Sequence, residues 1–142
     1  MLLVDTNVMI YAHRLEPDRH AEYRAWMDAL IAGPEPYAVS DFALNGVIRV
    51  VTNRRIYSSP TPTLVALNFA EAIREQPHAH VVSPGARFWP IFRDLCLKTG
   101  ASAKPIPDAY LAALALEHGC EVVSTDEDFR RFPGLRWRHP LN

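Results

Sequence analysis

Ile106 to Phe129 reads IPDAYLAALALEHGCEVVSTDEDF, and the rest of the chain is organised around this stretch. The pattern predicts a helix from Pro107 to His118, stopped by Gly119, then a short apolar strand, Glu121-Val122-Val123, and an acidic turn. Ala109, Leu111, Ala112, Ala113, Leu114, Ala115 and Leu116 make the helix apolar on nearly every side, so it belongs inside the protein. Asp108 nevertheless occupies its first turn. The helix dipole and free N–H groups favour an anion there by only about 0.3–1 kcal/mol, so full relief of a buried carboxylate calls for a cation. Asp126 and Asp128 follow just past the strand, at the edge where open α/β sheets place their ligands.

Working outward, the same sequence of strand, acid and helix recurs. Leu2-Leu3-Val4 is a short apolar run, as in a strand buried on both faces, and Asp5-Thr6-Asn7 follows with helix-capping chemistry. A second helix is expected from Pro17-Asp18 to Ile31, with Tyr23, Trp26 and Leu30 on one face and Gly33-Pro34 as its stop. Tyr37-Ala38-Val39 predicts a strand running into Ser40-Asp41, with Ser40 as the N-cap of a helix to Thr52 that carries Leu44, Val47 and Val51. After a loop at Arg54–Pro60, Thr61-Pro62 reads as N-cap plus N1 proline of a helix to Glu75. Ala79 to Val82 is a further strand, and Phe88, Ile91 or Phe92, and Leu95 mark a helix ending before Gly100, with Pro90 in its first turn. Thr99 to Pro107 reads as a loop, and Leu135–Arg138 as a last strand at the sheet edge.

This alternation, without repeats or low-complexity tracts, predicts one α/β domain over residues 1–142: a central, mostly parallel sheet flanked by helices in Rossmann-like layers. The 49% apolar and 22% charged residues suit a folded globular chain and exclude a disordered one. No apolar run approaches the roughly 18 residues of a membrane span, and MLLVDTN lacks a basic flank and cleavage site, so a cytoplasmic protein is expected. Cys96 and Cys120 each sit in an apolar element and read as buried free thiols. Net charge is −1, which gives no bulk attraction to nucleic acid. Setting aside Asp5, Asp41, Asp108, Asp126 and Asp128 leaves eleven of the sixteen acids against fifteen Lys and Arg, a mildly basic remainder compatible with a polyanionic substrate.

In a parallel sheet all strand C-termini face one edge, so Asp5, Asp41 and Asp126 are expected to meet Asp108 in one pocket. Asp5, Asp41 and Asp126 are each adequately explained alone as a helix cap or turn former, whereas Asp108 opens a helix too apolar to face water on most sides. Together the four are not so explained, because two unit charges about 4 Å apart repel by roughly 1–4 kcal/mol. An all-oxygen set without His or Cys fits Mg²⁺ or Mn²⁺ rather than Zn²⁺, and such an ion points to metal-assisted hydrolysis of a phosphate ester.

LLVDTN, the strand before Ser40-Asp41 with Arg49-Val50-Val51-Thr52-Asn53 closing its helix, Asp108-Ala109 with Leu111-Ala112-Ala113-Leu114-Ala115, and STDEDF with Phe132-Pro133-Gly134-Leu135 together resemble a PIN domain, in particular a VapC-type toxin ribonuclease. The resemblance spans essentially the whole chain. It implies a parallel sheet flanked by helices, a Mg²⁺- or Mn²⁺-dependent endoribonuclease acting on structured RNA such as tRNA, a homodimer, and a cognate VapB-type antitoxin. It further implies Asp5 and Asp108 as principal metal ligands, Asp126 as third acid, Asp41 in the place usually held by Glu, and Asp128 as an outer acid. Thr6 and Thr125 correspond to hydroxyls that position carboxylates, with Asn7 in a supporting place. Water is the nucleophile in that family, leaving 5′-phosphate and 3′-hydroxyl ends.

Two other readings stay open on sequence. A haloacid-dehalogenase-like phosphatase also begins strand–Asp and uses Mg²⁺, but wants a second acid where Asn7 stands. A non-catalytic dimeric binding module would use the aspartates only as caps. Among the cations Arg49, Arg54, Arg55, Lys98, Lys104, Arg130 and Arg131, Lys104 is the best placed to meet phosphate. His78 and His80 read as a half-exposed strand, Trp26, Trp89 and Trp137 as core or interface, and the helices bearing Leu44 and Leu64 as surfaces for a dimer or antitoxin.

Overall fold

The computed structural model describes residues 1–142. Five short strands form one wholly parallel sheet: β1 (Leu2–Val4), β2 (Tyr37–Val39), β3 (Ala79–Val81), β4 (Glu121–Val123) and β5 (Arg136–Arg138), in the order β3-β2-β1-β4-β5. Six helices connect them: α1 (Thr6–His13), α2 (His20–Ala32), α3 (Asp41–Val51), α4 (Thr63–Arg74), α5 (Phe88–Thr99) and α6 (Pro105–His118). The α/β layering expected from the alternation of elements is therefore present, with β5 at the edge where the tail was placed.

The order reverses at β1, which has β2 on one side and β4 on the other. This is the switch point at which connections leave in opposite directions and open a crevice beyond the strand ends. Register makes the geometry definite: Val4 pairs with Val123, and the Asp5 N–H donates to the Val123 carbonyl at 2.9 Å. The residues immediately after the two strands, Asp5 and Ser124, are thereby set side by side.

The middle of α6 is buried, with Ala109, Leu111, Ala112, Ala113, Leu114 and Ala115 all in the core. It begins at Pro105, two residues earlier than expected, because Pro105 and Pro107 both fall in the first turn, where N–H groups have no intrahelical partner. Gly119 ends it with φ +67°. Gly46 lets α3 close on α1, since a Cβ there would lie 2.9 Å from Thr6 Oγ1 and 3.1 Å from its Cγ2.

Several capping expectations need correction. Ser40 makes no side-chain capping bond to α3, and its hydroxyl is buried without a partner. Thr61 is not the cap of α4, which starts at Thr63; its hydroxyl instead accepts from Arg14 Nη1 at 3.2 Å and pairs with His13 Nε2 at 2.9 Å. The α3 residues Leu44, Val47 and Val51 are core, whereas Leu64 and Leu67 of α4 are 69% and 40% exposed. Cys96 and Cys120 are free thiols, and no helix is long and apolar enough to cross a membrane. Trp26 and Trp137 pack partly against the core, and Trp89 is 65% exposed. The β3 edge leaves His80 exposed, while His78 meets the Tyr37 ring edge-on at 5.2 Å.

Candidate functional site

A cavity of about 850 Å³ opens at the carboxyl edge of the sheet. Asp5 enters it from the end of β1, Asp108 from the first turn of α6, and Asp126 from the turn after β4. The Phe42, Asn45, Gly46 and Arg49 side of α3 forms another wall, and Lys104 also borders the cavity. Thr6, Asn7 and Thr125 also border the cavity.

Ser124 holds the centre together. It is fully buried, and its hydroxyl donates to Asp5 Oδ2 at 2.7 Å while accepting from Asn7 Nδ2 at 3.1 Å and from the Asp126 N–H at 3.0 Å. Asp5 Oδ1 accepts the Thr6 N–H at 2.7 Å, so both oxygens of this carboxylate are oriented. Asn7 Oδ1 accepts the Thr125 N–H at 3.4 Å, tying the start of α1 to the end of β4. Asp126 caps the following turn, Glu127–Arg131, by accepting the Asp128 N–H at 2.8 Å. Asp5 and Asp126 thus do serve as caps, and they line the cavity as well. The Thr6 hydroxyl does not position a carboxylate, because it donates to the Ala43 carbonyl at 3.0 Å and so joins α1 to α3. Thr125 engages Asn7 through its backbone N–H. Asp128 is exposed at the outer side of the turn.

Burial pushes the Asp5 carboxyl above its ordinary range, against the lowering effect of the Ser124 and Thr6 hydrogen bonds, and Asp126 raises it further. Asp108 is pushed up to about 6, first by burial and then by the charges of Asp5, Asp126 and Asp128. No lysine or arginine forms an ion pair with Asp5, Asp108 or Asp126. Three carboxylates share a cavity at an electrostatic cost that a divalent cation would remove. They are not drawn into a closed three-ligand cage. The open, all-oxygen arrangement fits a hard ion held by one or two carboxylates with its remaining positions given to water and phosphate.

Asp41 does not join them. Its carboxylate accepts from Arg74 Nε at 2.8 Å and Nη2 at 3.2 Å, and its side chain is 61% exposed. Asp41 sits one turn before Asn45, at the very start of α3, where Arg74 of α4 holds it, and the cavity wall is made by Phe42, Asn45, Gly46 and Arg49 instead. The uncharged polar residue that α3 brings to the cavity is Asn45, which makes no side-chain hydrogen bond within the chain. Asn45 and Ser124 were not evident in the sequence. The strand register would have pointed to Ser124, as the neighbour of Asp5 across β1 and β4.

Fold and site together define a class: parallel α/β proteins that gather carboxylates at the carboxyl edge of the sheet, around the switch point. Residues 2–135 match the PIN domain family. Over its whole length the chain is 44% identical to ribonuclease VapC43 of Mycobacterium tuberculosis, covering 97% of that protein, and it is 43% identical over 140 residues to ribonuclease VapC25 of the same organism, covering 99%. This chain belongs to the PIN-domain family, among its VapC ribonucleases. Solved structures agree in fold. VapC20 of Mycobacterium tuberculosis, a sarcin-ricin-loop-cleaving toxin, superposes with a TM-score of 0.68 at 18% identity, covering 96% of this chain and 99% of its own. A chain of VapBC2 from Rickettsia felis, solved bound to promoter DNA, gives 0.69 at 17% identity with 97% of each chain covered.

Proposed function

We propose that this protein is a divalent-metal-dependent endoribonuclease, the toxin of a type II toxin–antitoxin pair, working in the cytoplasm on structured RNA. The observation that carries this reading is the meeting of Asp5, Asp108 and Asp126 in one cavity without an ion-pair partner. Asp5 and Asp108 are the residues that would hold Mg²⁺ or Mn²⁺, with Asp126 beside them. A bound ion supplies positive charge against the phosphate oxygens and makes water more acidic at neutral pH.

The protein groups have separable tasks. Asp5 is oriented through both oxygens by Ser124 and Thr6, so it is the rigid element of the site. Asp108 has no hydrogen-bond partner and keeps both oxygens available. Asp126 has Oδ1 engaged by the Asp128 N–H, which leaves its second oxygen to orient the attacking water and accept its proton. Arg49 and Lys104, both free of ion pairs, are suited to the phosphates on either side of the scissile one. Asn45 offers a neutral donor and acceptor from the α3 wall. Water adds to phosphorus as the P–O3′ bond breaks, the leaving O3′ takes a proton from solvent and Asp126 returns its own to solvent, and the ends are a 5′-phosphate and a 3′-hydroxyl.

Relatives named VapC and a VapBC complex that shares the fold support a cognate antitoxin as partner. We take a VapB-type antitoxin and a second copy of this chain as the occupants of exposed apolar surface such as Leu64, Val65 and Leu67 on α4. The phosphatase reading is disfavoured because Asn7 stands where its second acid is needed, with its amide bound to Ser124. RNA incubated with Mn²⁺ or Mg²⁺ and then sequenced at its new ends tests the proposal. Cleavage that needs the ion and is lost in Asp5→Asn and Asp108→Asn is expected. Cleavage that persists in chelator would overturn it.

A further inference from the structure

A second cavity, of about 490 Å³, lies next to the acid-lined one. Tyr11 borders both cavities, so the second space adjoins the one that the carboxylates line. Tyr23 from α2 and Tyr57 from the loop after α3 complete an aromatic lining, and Asp18 stands at the edge in the turn between α1 and α2. The rings are held in place. Tyr11 and Tyr23 meet with centroids 5.2 Å apart at 59°, His20 Nδ1 contacts the Tyr11 carbonyl at 2.9 Å, and the Arg14 guanidinium lies 4.0 Å from the centre of Tyr57.

The charged groups around these rings are already committed, with one exception. Glu16 pairs with Arg14, and Arg19 pairs with Glu22 at 2.7 Å. Asp18 is exposed and has neither ion pair nor hydrogen bond. Aromatic rings beside a nuclease centre take up unstacked bases, and the Watson–Crick edge then meets whatever polar group stands at the rim. A carboxylate only accepts hydrogen bonds. Guanine presents two adjacent donors there, N1–H and N2–H, which match two carboxylate oxygens. Adenine and cytosine each set a ring acceptor against the carboxylate beside their amino group, and uracil has a single donor between two carbonyls.

We infer that the Tyr11, Tyr23, Tyr57 and Asp18 pocket is a guanine subsite, taking a base of the RNA strand that neighbours the phosphate held at Asp5, Asp108 and Asp126. This rests on the RNA reading above and adds a base preference to it.

Binding measured without divalent metal separates the two. Fluorescently labelled hexanucleotides of adenosine, with and without one guanosine moved along the strand, are titrated with the full chain in EDTA. A guanosine at one position is expected to tighten binding roughly tenfold, and Tyr57→Ala to weaken that complex by a similar factor. Asp18→Asn should abolish the guanosine preference by weakening the guanosine oligomer to the level of the all-adenosine one, since an amide offers one acceptor oxygen to N1–H and N2–H where the carboxylate offers two. Asp18 is exposed, so this variant keeps the fold, which circular dichroism checks. Equal affinity for both oligomers, or a guanosine preference that survives Asp18→Asn, would overturn the subsite. So would guanosine monophosphate binding as tightly as the oligomer, because the strand would then contribute nothing. A preference seen in EDTA together with no cleavage in Mn²⁺ would keep the subsite and remove the nuclease. Cleavage indifferent to guanosine would do the reverse.

Discussion

Ser124 is the residue through which one change reaches three others. Ser124→Ala removes the donor to Asp5 Oδ2 and the acceptor for Asn7 and for the Asp126 N–H, all in a buried spot. Stability is expected to fall by about 1–3 kcal/mol, with a loss of cleavage that Ser124→Thr partly restores; urea unfolding and RNA cleavage read the two effects. Asp5→Asn and Asp108→Asn are expected to lose at least about a hundredfold in rate while remaining folded. Asp41→Ala should behave differently, staying within about threefold of the parent rate and losing no more than about 1 kcal/mol, since it only breaks an exposed pair with Arg74. Asp5, Asp108 and Asp126 were legible in sequence because each stands at a strand end or helix start whose direction the parallel sheet fixes. Asp41 was misplaced and Asn45 overlooked for one reason: which face of α3 looks into the cavity depends on how α3 docks, and Asp41 and Asn45 lie about one turn apart on the helix.

At the scale of elements, α6 carries a carboxyl into the core region at an energetic cost that depends on pH. Asp108 has its pKa raised to about 6 in the folded chain, against about 3.9 when unfolded. Between those values the folded state binds more protons than the unfolded state, so this group's contribution lowers stability as pH rises from about 4 through about 6, after which it levels off. Asp5, raised in the same direction, adds to the trend. Asp41 and Glu121, lowered by Arg74 and Arg138, oppose it only at acid pH and from exposed or half-exposed positions. Metal-free protein is therefore expected to be more stable near pH 5 than near pH 7.5, and Asp108→Asn to gain about 1–2 kcal/mol at the higher pH once solvent screening is allowed for, as read by thermal melts in EDTA. The helices were largely legible from apolar spacing, and α6 from its composition alone. Its early start at Pro105 was not, because two prolines read as a loop until both are seen to occupy the turn that has no N–H partners to lose.

Across the whole molecule the sheet order brings Asp5 and Asp126 to the edge where Asp108 stands, and exposed apolar side chains cluster on α4 at Leu64, Val65 and Leu67. Leu64→Ser with Leu67→Ser is expected to leave the melting temperature nearly unchanged, since both side chains are already exposed, while weakening self-association or antitoxin binding in sedimentation and pull-down with the cognate antitoxin. That surface was only half legible: helical spacing marked α3 and α4 alike, and only packing reveals that α3 spends its apolar face on the core. If the three carboxylates at the switch point make a site that a divalent ion completes, calorimetric titration of the chain with Mn²⁺ will detect it. Saturable binding that Asp5→Asn and Asp108→Asn each abolish is the expected result; no binding by the parent chain, or equal binding by both variants, would contradict it.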